Sequence, residues 1–550
     1  MRTFTLFLVI SLTLITSYNV KAQNLLTGMP VIEDAIRFQQ LAGVFNKDLS
    51  FTIRPIAPGS ASFITDFYHG EKNYSNSTLS QFIQQQPIKN WSKRNFSVRF
   101  LPLGINTQYN SHHPYGPIPG PMVPNKGLQQ MVSGGFYAVF KNFEFQFRPE
   151  FVFASNDSFN SPKYRLDKIG PKFDLPERFG YSNVKRNAIG QTALRFRTKQ
   201  ITAALSTENM WWGPGMKNSL ILTDNADGFA HASITSTKPI STFFGKVEFE
   251  ATVGRLTSSP YYLTKDTGKI ITTTKPNRNA VFTGYIVSIQ PNFFKGLFFG
   301  IISSHVLYQD QSTSLSSYLP LKIFRTNAGT TEPADDKISF FTRFLMPAAK
   351  AEVYFEWARE DNSQDLQDLV QATNHTRAYI IGGTKMFPLS KKSNFYISAE
   401  VTQLEKPLSQ WFRNTTSSWY LNWNRSYTNN GQVLGAEIGP GSNLQTIRFG
   451  FLRDFANVGL EIERKEVNND VFYRRIYPLT YDDNRKWVEM SGAFYAKIPT
   501  KHFLFDANIR FGQSYYFNWE YQPNTVWSGF RKQGNNPKWV SLNLGCYYRL

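Results

Sequence analysis

A large transmembrane antiparallel β-barrel with an N-terminal extension is the fold class this chain predicts, and three observations carry it. The chain opens with an export signal, yet no later stretch approaches the roughly 18 apolar residues of a membrane helix. An exported chain of this kind is either soluble or spans a membrane by closed strands. Rings are abundant, with 48 Phe, 27 Tyr and 11 Trp, while hydrophobic residues of all kinds make up only 41%. A barrel uses rings outward, in lipid and in two interfacial girdles, around a polar interior. The last eleven residues, 540–550 (VSLNLGCYYRL), form an alternating strand that ends the chain. A soluble sandwich or propeller would also alternate, but no blade repeat is visible.

The export signal occupies 1–22. Arg2 supplies the positive n-region, 4–15 (FTLFLVISLTLI) the apolar core, and cleavage after Ala22 leaves Gln23 as the mature N-terminus. No Cys follows the cleavage point, so no lipoprotein anchor is expected. Residues 23–90 form an N-terminal periplasmic or plug segment. Within it 30–43 reads as a short helix, with Pro30 near its start, Glu33 and Asp34 in the first turn and Gly43 at its end. Val31, Ala35, Phe38 and Ala42 share one face of it, and 50–55 (SFTIRP) reads as extended.

The barrel is expected over 91–550. Period-2 runs recur at 95–101, 143–153, 193–205, 245–254, 281–290, 296–308, 339–344, 351–357, 378–386, 394–402, 446–451, 458–464, 487–496 and 503–511. In 143–153, Phe143, Phe145 and Phe147 share one face and Glu144, Gln146 and Arg148 the other. In the final strand Leu542, Leu544, Cys546, Tyr548 and Leu550 share the apolar face. This places Cys546 against lipid as a small apolar residue. The single cysteine excludes a disulfide framework, and seven scattered histidines show no metal-ligand spacing. The net charge is +20. For an exported chain this points away from nucleic acid; a polyanion such as acidic polysaccharide or lipopolysaccharide phosphate is the more natural partner, and a merely basic solvated surface accounts for the charge equally well.

Residues 209–240 (NMWWGPGMKNSLILTDNADGFAHASITSTKPI) interrupt the strands with a dense polar and aromatic block. Trp211 and Trp212 offer flat faces for sugar rings. Gly213-Pro214-Gly215 forms a nearly side-chain-free turn that admits a ligand or another loop. Asn218, Asp224, Asn225 and His231 supply donors and acceptors for hydroxyl groups, and Lys217 and Lys238 can meet carboxylates or phosphates. Two readings stand: these groups contact a ligand, or they satisfy one another as a plug folded into the barrel. A second ring-rich stretch, with Trp411, Trp419 and Trp423, suits either a glycan-binding surface loop or an interfacial girdle.

The tryptophan block, with a following Gly245, resembles the signature of the capsule assembly Wzi family. Other blocks agree in order along the chain: the early helix with SFTIRP, Lys126-Gly127 with Gln130 before GGFYAVF, RPEFVFASN at 148–156, YFEWARED at 354–361 and TNNGQVLGAEIGPGSN at 428–443. The resemblance implies a barrel of about 18 strands with N-terminal helical elements at the periplasmic mouth and a plugged lumen. It implies a lectin-like, non-catalytic role in attaching capsular polysaccharide to the cell surface. It also implies an outer-membrane location, with lipid and lipopolysaccharide as neighbours. The terminal segment 543–550 resembles the signal by which insertion machinery recognises outer-membrane barrels.

Catalysis is not expected. Glu356, Glu360, Asp361, Asp365 and Asp368 form a carboxylate-rich run, but a salt-bridged turn or lumen cluster near Arg359 and Arg377 accounts for them. His375 reads as a local hydrogen-bonding residue. Ser219, Asn225 and His231 lack a nucleophile elbow. No cofactor is indicated. The alternative from another functional class is a porin-like channel for saccharides or other small solutes.

Overall fold

The computed structural model describes residues 30–45, 47–56, 89–91, 96–160, 174–263, 270–271, 278–309, 335–360, 370–371, 373–390, 392–407, 418–422, 425–521 and 534–549. The export signal, Asp361, Asp365, Asp368, Trp411, Trp423 and Leu550 lie outside the described residues.

Eighteen antiparallel strands close into a barrel. In chain order they are β1 (Phe96–Asn110), β2 (Gly127–Phe140), β3 (Phe143–Phe147 with Glu150–Ala154), β4 (Val184–Ala188 with Ala193–Arg197), β5 (Ile201–Ser206), β6 (His231–Ser236 with Ile240–Ser241), β7 (Gly245–Leu256), β8 (Ala280–Pro291) and β9 (Leu297–Tyr308). There follow β10 (Asp335–Met346), β11 (Ala351–Glu360), β12 (Arg377–Pro388), β13 (Ser393–Gln403), β14 (Asn443–Arg453), β15 (Ala456–Glu466), β16 (Val488–Pro499), β17 (Phe503–Tyr515) and β18 (Lys538–Tyr548). The C-terminal strand closes the barrel on β1, from Leu103 opposite Tyr548 to Asn110 opposite Ser541.

Alternation sets the two faces as the sequence predicts. Phe143, Phe145 and Phe147 point outward, 51, 39 and 38% exposed, whereas Glu144, Gln146 and Arg148 are at most 3% exposed inside. Pro149 breaks β3 because it has no N–H for the ladder. Gly190 breaks β4 opposite it; a Cβ there would stand 2.4 Å from the Arg148 carbonyl oxygen.

Two expectations need correction. The run 193–205 is not one strand but two, reversed at 198–200, where the Thr198 N–H donates to the Ile201 carbonyl at 2.8 Å. The turn, Thr-Lys-Gln, contains neither Gly nor Pro, so alternation runs through it unmarked. The interior is also not uniformly polar. Phe282, Ile286, Ile302, Phe341 and Ile380 face inward and pack on Trp212, Leu220, Leu222 and Tyr420. One half of the lumen is therefore an apolar core.

Short connections such as 141–142, 454–455 and 500–502 lie at one barrel end and long ones at the other; in outer-membrane barrels the short turns face the periplasm. Helix α1 (Pro30–Leu41) enters the lumen at the short-turn end. Phe38 and Leu41 pack on Phe298, Leu345, Met386, Tyr396, Leu452 and Tyr495. Ile32, Ile36 and Arg37 are buried too, because the barrel encloses the helix instead of flanking it.

Candidate functional site

The first part of the block, 209–230, leaves β5 at the long-loop end and folds into the lumen, and the rest returns as β6 of the wall. Trp211 and Trp212 form a two-residue strand that pairs with Ile53 and Arg54 of the N-terminal segment. The Gly213-Pro214-Gly215 turn permits a close approach. A Cβ on Gly213 (φ 136°) would meet Ser219 Oγ at 2.6 Å and Glu356 Oε2 at 2.7 Å. A Cβ on Gly215 would overlap the Asn218 carbonyl oxygen at 1.9 Å. The carbonyls the turn presents are taken by guanidinium groups: Arg37 donates to Pro214 at 2.8 Å and Arg54 to Gly215 at 3.1 Å.

Two further long connections fold in beside the block. From 404–442, the Leu434 carbonyl accepts from the Thr223 N–H at 2.8 Å, and Tyr420 Oη donates to the Leu220 carbonyl at 2.8 Å. From 111–126, the Gly120 N–H donates to the Asp224 carbonyl at 2.7 Å. Gln432 Nε2 ties both to the block, donating to the Met122 carbonyl at 2.7 Å and the Asn225 carbonyl at 3.1 Å. The lumen is thus filled by four segments hydrogen-bonded to one another.

A cavity of about 260 Å³ remains between this plug and the wall formed by β14–β18 and β1. Its basic side chains (Arg37, Arg54, Lys217, Arg448, Lys465, Lys497, Arg510) match its acidic ones (Glu33, Asp34, Asp224, Glu437, Glu461, Glu463, Asp506) one for one. Lys217 Nζ lies 3.3 Å from Glu461 and 2.7 Å from Glu463, and Arg510 bridges the same two carboxylates. Asp224, Glu437 and Lys465 also line the space. A smaller cavity adjoins it, sharing Trp211, Lys217, Asp224 and Glu437 and adding Asn218 and Asn225.

Of the residues singled out in the sequence, the lumen brings together Trp211, Lys217, Asn218, Asp224 and Asn225. Trp211 stacks against the Arg54 guanidinium, 4.7 Å from its ring centroid. The polar groups mostly serve the plug. Asn218 donates to Thr402 at 3.3 Å and accepts from the Glu437 N–H at 3.1 Å, while Asn225 donates to the Val433 carbonyl at 2.9 Å. Trp212 lies in the apolar core, and its Nε1 donates to Glu250 at 2.8 Å. His231 sits in β6, bonded to the Phe229 carbonyl at 2.7 Å. Lys238 is exposed in a turn at the short-turn end, away from the cavity. Trp419 is neither a surface-loop ring nor a girdle ring: it is 1% exposed inside the lumen, with Lys337 Nζ 5.7 Å from its ring centroid.

Of the carboxylate run, Glu356 and Glu360 lie in the interior. Lys337 meets Glu360 at 2.8 Å and also pairs with Asp335, while Glu356 accepts from Ser339 at 3.0 Å. Among the described residues no hydrogen bond joins Ser219 to His231; Ser219 donates to the Trp212 carbonyl instead. Several residues that build the site were not singled out: Arg37, Glu352, Glu400, Glu437 and Lys465. Glu400 receives the backbone N–H groups of Met216, Lys217 and Asn218 and the Tyr354 hydroxyl. The available signal was a charged residue on the inward phase of an alternating strand, as at Glu352 and Glu400.

Burial raises the Glu33 carboxyl to about 7 although Arg54 stands 3.2 Å away. Burial likewise raises Asp224 and Glu437. Burial works against the Asp34 charge as well, but Lys497 and Arg448 outweigh it and hold this carboxyl below its usual range. A raised acid binds its proton more tightly in the docked state, so docking weakens as pH climbs from the ordinary carboxylate range through about 7. Asp34 is ionised throughout that window and adds no slope. Hydrogen exchange of the α1 amides, corrected for intrinsic rates, is expected to show falling protection from pH 5 to 8. Glu33→Gln removes much of this slope; an unchanged slope assigns it to other groups.

The family model for capsule assembly protein Wzi matches residues 126–535. Among solved structures, the chain is similar to Wzi of Escherichia coli, an outer membrane protein involved in group 1 capsule assembly and described as a carbohydrate-binding β-barrel. The TM-score is 0.59 at 10% identity, covering 96% of this chain and 100% of that one. Pseudomonas aeruginosa OprD gives 0.39 at 10% identity, covering 86% and 97%. A BenF-like porin from Pseudomonas fluorescens Pf-5 gives 0.37 at 10% identity, covering 82% and 99%. No curated protein sequence matches. With its closed barrel and a family match that runs over most of its length, this chain belongs to the capsule assembly protein Wzi family.

Proposed function

We propose that this protein is a non-catalytic outer-membrane barrel that binds surface polysaccharide and helps attach or assemble it at the cell surface. Its family carries the coarse assignment to capsule assembly. The observation that supports the finer reading is the plug. Four interlocked segments occupy the lumen and leave a cavity of about 260 Å³, below the roughly 300–1,000 Å³ of typical small-molecule sites. Such a filling, among the described residues, speaks against a polymer threading the lumen, so in this reading polysaccharide meets the long-loop face. In this reading 543–550 addresses the chain to the insertion machinery, and the outward rings contact lipid and lipopolysaccharide.

Deletion of the gene, followed by measurement of cell-bound and released polysaccharide, tests the role. The expected result is a shift from bound to released material; unchanged amount and attachment overturns it. In planar bilayers the purified barrel is expected to show no large steady conductance. Such a conductance would instead support the saccharide-channel alternative.

A further inference from the structure

The long-loop end carries a second feature, outside the lumen. Between β15 and β16 the chain forms a helical segment from Asn469–Val471, a π-turn at Phe472–Ile476 and Tyr477–Thr480. Val471, Phe472 and Ile476 are its buried face, packed on Trp519. Trp519 in turn touches Trp487, which packs on Phe517, and Phe517 packs on His112 and His113 of the connection that enters the lumen. The segment is therefore anchored to the plugged mouth.

Beside that face run tyrosines at four-residue intervals, Tyr473 and Tyr477 half-buried against the same cluster and Tyr481 beyond it. The ring centroids of Tyr473 and Tyr477 lie 6.2 Å apart and those of Tyr477 and Tyr481 6.1 Å apart. The row opens outward until Tyr481 is 81% exposed, with Leu479 72% exposed beside it. Lys486 Nζ stands 5.2 Å from the Tyr473 ring centroid. The Arg485 guanidinium stands 5.7 Å from that of Tyr521 and donates to the Trp519 carbonyl at 2.8 Å. Of the nearby acids, Asp482 is engaged by the Asn484 backbone and side-chain nitrogens, Asp483 is exposed, and Glu466 and Glu405 lie close enough to Lys486 to act on its charge. Scattered exposed rings are ordinary on a protein surface, but here the half-buried rings of Tyr473 and Tyr477 continue into the exposed ring of Tyr481 as one row packed on a buried cluster, which suits a contact surface. Ring faces suit the C–H faces of sugars, and cations held beside rings suit carboxylates.

We propose that this tyrosine row, with Lys486 and Arg485, is the contact surface for an acidic polysaccharide. Sugar rings stack on the tyrosines while the two cations meet uronate carboxylates. The assignment rests on the polysaccharide-binding reading above and locates it on one loop.

The test uses the full-length mature barrel in detergent micelles, immobilised for surface plasmon resonance. Alginate serves as the polyuronate probe, dextran as the neutral control, and lipopolysaccharide as the competing polyanion. Wild type is expected to bind alginate in a salt-dependent manner. Tyr477→Ser combined with Tyr481→Ser is expected to weaken this about tenfold, and Lys486→Gln to weaken it several-fold and flatten the salt dependence. Heat-modifiable migration identical to wild type confirms that each variant is folded. Unchanged alginate binding in both variants overturns the assignment while the parent reading stands. Dextran or lipopolysaccharide bound as tightly as alginate overturns the acidic-polysaccharide class. Wild type that binds none of the three overturns the assignment, and the release measurement on the deletion strain then decides the parent reading separately.

Discussion

Trp212→Ala is expected to destabilise the folded barrel by about 4–6 kcal/mol. About 3–5 kcal/mol of this comes from truncating a buried tryptophan and the rest from a buried carboxylate left without its donor. The indole is fully buried, its ring centroid 6.0 Å from that of Phe282, and its Nε1 is the donor to Glu250. Its backbone also joins the block to the N-terminal segment, opposite Ile53, and its N–H donates to the Leu222 carbonyl at 3.2 Å. Neither neighbour can collapse into the space, because one is a barrel wall and the other a hydrogen-bonded turn. Trp211→Ala is expected to be milder, since that ring is partnered by Arg54 and borders the cavities. Heat-modifiable electrophoresis and urea unfolding of the two single variants and the double variant measure the order. Equal tolerance of both substitutions would remove the distinction between a structural and a cavity-lining tryptophan. Loss of polysaccharide binding in Trp211→Ala, with normal folding, would show direct ligand contact by that ring.

Strand faces were legible because a half-buried strand repeats every two residues, and this barrel keeps that repeat with Phe outward against Glu, Gln and Arg inward. The closing strand was legible for the same reason, with Tyr547 inside, donating to Asn106 at 3.0 Å, and Tyr548 outside. Strand boundaries were less so. The turn at 198–200 has no breaker residue, and His231–Ser236 is short with polar inward positions, so β5 and β6 carry little local signal. The block 209–240 was visible as a centre through its density of rings and amides. Its burial was not, because that depends on groups far along the chain: Glu250, Glu356, Glu400 and Leu434. The same holds for Trp419. A ring-rich, amide-rich stretch reads alike as surface loop, girdle or plug, and only the bonds of Tyr420 and Leu434 to the block decide for the plug. The tyrosine row at 473, 477 and 481 was available as a four-residue spacing but is interrupted by arginines and Pro478, and no strand pattern frames it.

Glu352→Ala is expected to release the N-terminal segment from the lumen. Glu352 sits on the inward face of β11 and binds two guanidinium groups: Arg37 of α1 at 2.8 Å and Arg343 of β10 at 2.7–2.8 Å. Arg37 also holds the Pro214 carbonyl and lies 5.1 Å from the Tyr354 ring centroid. Arg343 also holds the Ser50 carbonyl at 2.8 Å and Gln40 Oε1 at 2.7 Å. One carboxylate therefore pairs with both cations through which barrel wall, α1 and the Gly-Pro-Gly turn are joined. Removing it strands both cations in a buried site, and breaking a buried pair in this way costs about 3–5 kcal/mol. Arg37→Met is expected to cost less, because Glu352 keeps Arg343 and the methionine stem retains part of the packing. In micelles, Glu352→Ala should expose 30–56 to protease and to hydrogen exchange while the strand amides stay protected. An undocked segment would also open a path past the plug, so conductance in bilayers should rise above that of wild type. Full protection of α1 in Glu352→Ala would show that its apolar packing on Phe298, Leu345 and Tyr396 holds it without the ion network.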